Sequence, residues 1–242
     1  MSISKNQLKL INSLSQKKYR EKHGLFIAEG VKVVEELLNS SLEVASLYVL
    51  DSYDFPNHRE FITKVSESDL KKISNLKTPN TVLALFKIPK QIPPQDSGLI
   101  ITLDELNDPG NLGTIIRLCD WFGIKQLVCS KTSVDCYNPK VVQASMGSLT
   151  RVSISYMDLP LFLSNTKLPV LIADMNGDSV YKTTLPKEGI LIMGNEANGV
   201  SDAIKKIGKH TISIPRFGEH QKTESLNVAT ATAILLSEFS RR

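Results

Sequence analysis

The chain has 242 residues, 41% of them hydrophobic, and a formal net charge of +4. That is enough apolar material for one large domain or two ordinary ones, and no apolar run approaches the roughly 20 residues needed to cross a bilayer. The opening MSISKNQLK has no hydrophobic stretch of the signal-peptide kind, so a cytoplasmic protein without membrane contact is expected.

In chain order, helical periodicity covers residues 4–18 and 31–39 on either side of a short strand, GLFIAEG at 24–30. VASLYVL at 44–50 and TVLALFKI at 81–88 read as strands, with a helix over 68–76 between them. KIPKQIPPQDSG at 87–98 carries three prolines and a closing Gly98 and reads as a linker. The expected division is therefore a small α/β domain over 1–90, a linker over 91–98 and a second domain over 99–242. There, strands at 99–104, 126–129, 150–154, 168–174, 189–193 and 210–214 alternate with helices at 112–122, 138–147, 158–165, 200–207 and 225–240. Such alternation predicts an α/β fold with a mostly parallel sheet.

Charge is unevenly spread. Residues 1–90 hold 14 Lys+Arg against 10 Asp+Glu, and residues 91–242 hold 15 of each. Lys5, Lys9, Lys17, Lys18, Arg20 and Lys22 face only Glu21 in the first 22 residues, which suits a polyanion. Cys119, Cys129 and Cys136 have neither disulfide-framework nor metal-site spacing and read as buried thiols; no metal is expected.

Three strand-to-helix turns carry the polar residues that could do chemistry. In the first, Asp108, Pro109 and Gly110 make a tight turn and Asn111 is the expected N-cap of a helix bearing Gly113 and Arg117. Two glycines beside an arginine leave a floor for a phosphate or sugar. In the second, GNEANG at 194–199 offers glycines and backbone N–H groups to a polar ligand, while the lack of GxxxxGK and GxGxxG argues against nucleotide hydrolysis and dinucleotide binding. In the third, Ser225 is the expected cap of a helix with Asn227 in its first turn and a compact face of Ala229, Thr230, Ala231, Thr232 and Ala233.

Together, Asn111 with Arg117, the GNEANG segment with Glu196, and the IPRFG run with Ser225, Leu226 and Asn227 resemble the three motifs of the SpoU, or TrmH-like, branch of the SPOUT RNA 2′-O-ribose methyltransferases. The likeness covers 99–242; KKYREKHGLFIAEG, with Phe26, Glu29 and Gly30, resembles the opening of that family's L30-like substrate-binding domain. The resemblance implies a deep trefoil knot in the C-terminal domain and S-adenosyl-L-methionine held by backbone at Gly194, Ile214 and Leu226. It also implies a homodimer, while the basic excess near the N-terminus marks Lys17, Lys18, Arg20 and Lys22 as the expected RNA contacts. Arg117 would be the leading catalytic residue, with Asn111, Glu196, Ser225 and Asn227 around it and Glu196 paired to Arg117 or Asn111. Ribosomal RNA is the expected substrate; a tRNA 2′-O-methyltransferase and a non-catalytic RNA-binding protein of the same fold are the alternatives. One departure from the family is EHQKTE between Gly218 and Ser225, a longer loop than usual, with His220 read as exposed rather than catalytic.

Overall fold

The computed structural model describes residues 3–56, 59–218 and 225–241. They fall into two compact units, one of Met1–Lys90 with Asp135–Thr150 and the other of Gln91–Val134 with Arg151–Arg242.

The first unit runs α1 (Lys5–Ser13), α2 (Lys17–His23), β1 (Leu25–Glu29), α3 (Val31–Leu38), β2 (Val44–Leu50), β3 (Ile62–Val65), α4 (Glu67–Ile73) and β4 (Val82–Lys87). Its sheet has the order β1-β4-β2-β3, antiparallel except for the β2–β3 pair. Helix α1 begins in a capping box, with Ser4 and Gln7 each accepting the other's backbone N–H. The expected single helix over 4–18 is two helices, because α1 stops at a Leu14 cap and the chain is extended again at Gln16. Ile11, Leu14, Ile27, Tyr48, Leu83 and Leu85 are among the residues of its core.

Phe26, Ile27 and Ala28 are all buried, so β1 needs cover on both faces. Part of that cover comes from far along the chain: α6 (Pro139–Ser145) packs on β1, and the Tyr137 ring lies 4.7 Å from that of Phe26. Gly147 closes the segment at φ 91°, where a Cβ would sit 2.5 Å from Cβ of Glu36, so only glycine fits there. For this reason 135–150, numbered within the expected C-terminal domain, clusters with the N-terminal unit.

Arg20 explains the same attachment electrostatically, and it corrects one expectation. The side chain is 2% exposed. Its Nε donates to Asp135 Oδ2 at 2.8 Å and its Nη1 to the carbonyls of Leu14 and Ser15 at 2.9 and 3.0 Å. With Nη2 also donating to Asp135, four of its five N–H groups are engaged inside the unit and the side chain is buried, so Arg20 does not belong to an RNA-facing surface. Lys17, Lys18 and Lys22 do remain exposed.

The second unit contains β5 (Leu99–Leu103), α5 (Pro109–Trp121), β6 (Gln126–Ser130), β7 (Ser153–Met157), α7 (Leu159–Asn165), β8 (Val170–Ser179), β9 (Gly189–Met193), α8 (Asp202–Lys205), β10 (His210–Ser213) and α9 (Val228–Ser240). All five strand pairings in the order β10-β8-β9-β5-β6-β7 are parallel, in agreement with the α/β reading. β9 is apolar throughout and β5 apolar but for Thr102, and both are buried almost completely, as central strands of a parallel sheet are. Because every strand points the same way, the turns leaving β5, β9 and β10 emerge at one edge of the sheet. That edge is where open α/β sheets place ligands.

The Arg20 pair gives a stability prediction. Asp135→Ala strands a buried guanidinium and should cost about 3–5 kcal/mol, whereas Glu21→Ala removes only a 4.0 Å pair between half-exposed groups on α2 and should cost under about 1 kcal/mol. Urea unfolding of the two variants checks the ranking; equal midpoints would contradict it.

Candidate functional site

The first turn begins with Asp104, 4% exposed at the end of β5. Its backbone N–H donates to Met193 O at 2.9 Å and its carboxylate accepts the Ser201 N–H at 2.8 Å. The carboxylate thus ties the start of α8 to the adjoining strand. Glu105 follows in the left-handed region at φ 56°, and its carbonyl accepts from Asn195 Nδ2 at 2.8 Å. The helix start differs from expectation: Asp108 is the N-cap of α5 and Pro109 its first residue. Proline suits that position, since its absent N–H is not missed and its φ is preset. The Asp108 carboxylate accepts the Asn111 N–H at 2.7 Å, which leaves the Asn111 side chain available for contacts outside the helix.

The second turn is closed by backbone contact. A Cβ on Gly194 would lie 2.3–2.6 Å from backbone atoms of Gly199 and Val200; real Cβ atoms do not approach so closely, so this glycine is obligatory. Asn195 and Gly199 exchange two N–H···O bonds of 2.9 Å, and Asn195 Oδ1 accepts from Ala197 N at 2.9 Å and Asn198 N at 3.2 Å. The amides expected to wrap a ligand are therefore largely engaged in building the turn, and Glu196 is carried outward at its tip.

In the third turn Asn227, not Ser225, caps α9. Its Oδ1 accepts from Ala229 N at 3.0 Å and Thr230 N at 3.2 Å, two of the donors that a helix start leaves open. With the oxygen so used, Nδ2 faces out and donates to Asn111 Oδ1 at 2.9 Å. Asn111 Nδ2 in turn donates to Glu196 Oε1 at 2.8 Å. The chain Asn227 to Asn111 to Glu196 has one hydrogen-bond polarity and joins all three turns.

Of the expected site residues, this network brings together Asn111, Glu196 and Asn227. Glu196 pairs with Asn111 rather than Arg117. Arg117 lies exposed on α5, with no hydrogen bond or ion pair to another described residue. Ser225 is exposed just before the cap, Leu226 is 48% exposed, and Gly194 and Ile214 are half-buried at the same edge. Residues 219–224, including His220, lie outside the described residues. Asp104 and Asn195 were not singled out from sequence; their signals were a carboxylate ending an apolar strand and an asparagine after Gly194.

Burial, and next the Asp120 carboxylate, pushes the Cys119 thiol on α5 up to about 12, which keeps it a thiol rather than a nucleophilic thiolate at neutral pH. All three cysteines are buried thiols. Among the described residues no group of three or more His, Cys, Asp and Glu could hold a metal ion.

The network predicts the effect of Asn111→Asp. A second carboxylate beside Glu196 removes the donor and adds like-charge repulsion, costing about 1–3 kcal/mol at neutral pH. Repulsion raises the folded-state carboxyl pKa, so the loss should shrink as pH falls through about 4–5, where protonation restores a donor. Thermal unfolding against pH checks this; a pH-independent deficit would contradict it.

Residues 98–237 match the SpoU rRNA Methylase family and residues 5–84 an MRM3-like substrate binding domain. A Bacillus subtilis protein, 23S rRNA (guanosine(2553)-2′-O)-methyltransferase RlmP, is 30% identical over 241 residues, covering 96% of each chain. Among solved structures, a Porphyromonas gingivalis protein assigned to the TrmH family of RNA methyltransferases superimposes with a TM-score of 0.88 at 37% identity, over 100% of this chain and 99% of that one. An rRNA methyltransferase from Sinorhizobium meliloti, solved with S-adenosylmethionine bound, gives 0.86 at 27% identity over 100% and 96%.

Proposed function

The chain belongs to the SpoU rRNA methylase family, and on that premise we propose that it transfers the methyl group of S-adenosylmethionine to a ribose 2′-hydroxyl of ribosomal RNA. The observation that carries this reading is the Asn227–Asn111–Glu196 chain, which draws the three motif-bearing turns to the carboxyl edge of a parallel sheet. The residues there fit the cofactor: Ile214 and Leu226 have backbone groups with no hydrogen bond to another described residue, which suits an amphipathic ligand with several polar atoms. Gly194, Ile214 and Leu226 are assigned to hold it, in a domain of 99–242 whose crossing we read as the family's knot. The sulfonium, when bound, supplies a methyl that is already electrophilic.

The protein's task is then alignment of the 2′-oxygen. A guanidinium offers donors and no acceptor, so the role of Arg117 is to grip the phosphate next to the target ribose, a bidentate contact that fixes the sugar. Positioning of this kind supplies on the order of 7–11 kcal/mol of a barrier. Asn111, Glu196 and Asn227 hold the turns in place, and Ser225 is left exposed toward the substrate side. Arg117→Ala should keep cofactor affinity while single-turnover methylation at saturating RNA falls roughly 10²–10³-fold; near-normal turnover would remove Arg117 from the mechanism.

RNA is engaged first by the domain of 1–90, joined through 91–98, with Lys17, Lys18 and Lys22 as phosphate contacts. Lys17→Ala with Lys18→Ala should weaken RNA binding and flatten its salt dependence by about 0.7–0.9 in log–log slope per lost contact, leaving cofactor affinity unchanged. An unaltered slope would place the RNA elsewhere.

The protein acts in the cytoplasm as a homodimer. Supporting the dimer are Trp121, 83% exposed on α5, and the small side chains of α9, the helix that packs on α5; exposed tryptophan is a frequent interface anchor. Sedimentation at micromolar concentration should give a dimer, and an active monomer would contradict it.

A further inference from the structure

A ring pair made of residues with no role assigned so far stands at the same edge of the sheet. Strand β10 pairs with β8 in a broken register: Thr211 faces Ile172, but Ile212 faces Asp178, so residues 173–177 leave the ladder and return. Met175, 56% exposed, rides on that excursion. Tyr181 follows the end of β8 and Phe217 follows the end of β10, so both project from the carboxyl edge. Their centroids are 6.4 Å apart and their planes tilted by 37°, within the range of an interacting pair.

The pair is unusual for what it leaves uncovered. Phe217 is 83% exposed and Tyr181 40%, and the neighbours are cationic as well as apolar. The Arg216 guanidinium reaches back to Met175 Sδ at 3.0 Å, and Lys182 is exposed beside Tyr181. Open aromatic faces flanked by cations are the chemistry that takes up unpaired bases, the rings stacking and the cations facing phosphate. A surface built for a second protein copy would not need the charges, and a core would have buried the rings.

We propose that Phe217, supported by Tyr181, is a stacking platform for an unpaired nucleobase of the substrate RNA, with Arg216 and Lys182 facing the adjoining phosphates. It is a positioning device: Phe217 is three residues beyond Ile214, so a base held there places the strand next to the turn assigned to the cofactor. The proposal rests on the RNA methyltransferase reading and deepens it by naming a contact with a base rather than with backbone.

The test uses the full-length protein and ribosomal RNA from cells in which its gene has been deleted. Phe217→Leu keeps an apolar side chain and loses the ring; Phe217→Trp keeps a ring. Expected is a 5- to 100-fold loss of RNA affinity for Phe217→Leu, the range of one lost base stack, and affinity near the wild-type value for Phe217→Trp. Cofactor affinity and sedimentation should be unchanged in both. Wild-type RNA affinity in Phe217→Leu overturns the proposal. So does a loss that appears together with subunit dissociation, which assigns the rings to a second copy, or with an equal loss of cofactor affinity, which assigns them to the cofactor pocket. Failure of the unaltered protein to methylate this RNA would instead overturn the parent reading, and this proposal with it.

Discussion

The polarity of two asparagine amides governs the arrangement of the site. Asn227 must turn its oxygen to the open N–H groups of α9, so its nitrogen can only donate outward. Asn111 receives that donation and must pass its own nitrogen to an acceptor, which Glu196 supplies. Asparagine is suited to both positions because one short side chain carries a donor and an acceptor. Aspartate would lose the donor at either position. Three turns separated in sequence are thereby held at one edge of the sheet by side-chain amides.

Beneath that network lies a layer of buried polar and backbone contacts. Asp104 joins β5, β9 and α8 through two hydrogen bonds, and Gly194 lets two backbone segments touch. Neither residue needs to meet a substrate to matter. In the N-terminal unit Arg20 does the corresponding work, fixing 135–150 to the sheet that β1 begins. Support of this kind leaves Arg117, Ser225 and the Phe217 ring exposed on a defined frame, as the RNA contacts proposed for them require.

The elements legible in the sequence were those with a strong period or strong punctuation. VASLYVL and GILIM coincide with β2 and β9, and the Pro-rich run ended the first set of strands. β3 went unseen because ITKV is short and mostly half-buried, with no clean alternation. β7 begins three residues late because 148–150 forms a 3₁₀ turn, and β8 runs on to Ser179 because polar NGDS includes residues paired with β10. Caps were misplaced where several good capping residues adjoin: Pro109 decides for Asp108, and the reach of its amide decides for Asn227. Arg20 was the larger miss. Charge counting cannot see a carboxylate 115 residues away, just as it cannot see amide bonds spanning 85 and 116 residues. Asn111, Glu196 and Asn227 were legible as polar residues in the turns and helix starts that follow β5, β9 and β10, where glycine, proline and capping residues punctuate the chain.

Two units with separate cores divide the work proposed for them: one offers a lysine-rich helix, the other a sheet edge where Asn111, Glu196 and Asn227 meet. The reaction proposed for this edge is methylation of ribosomal RNA at a ribose. Mapping 2′-O-methyl groups across the ribosomal RNA of cells lacking the gene, before and after complementation, tests it most directly. The account predicts a discrete modification that is lost on deletion, restored by the wild-type chain and not restored by Arg117→Ala. An unchanged ribosomal map, or restoration by the arginine variant, would contradict it.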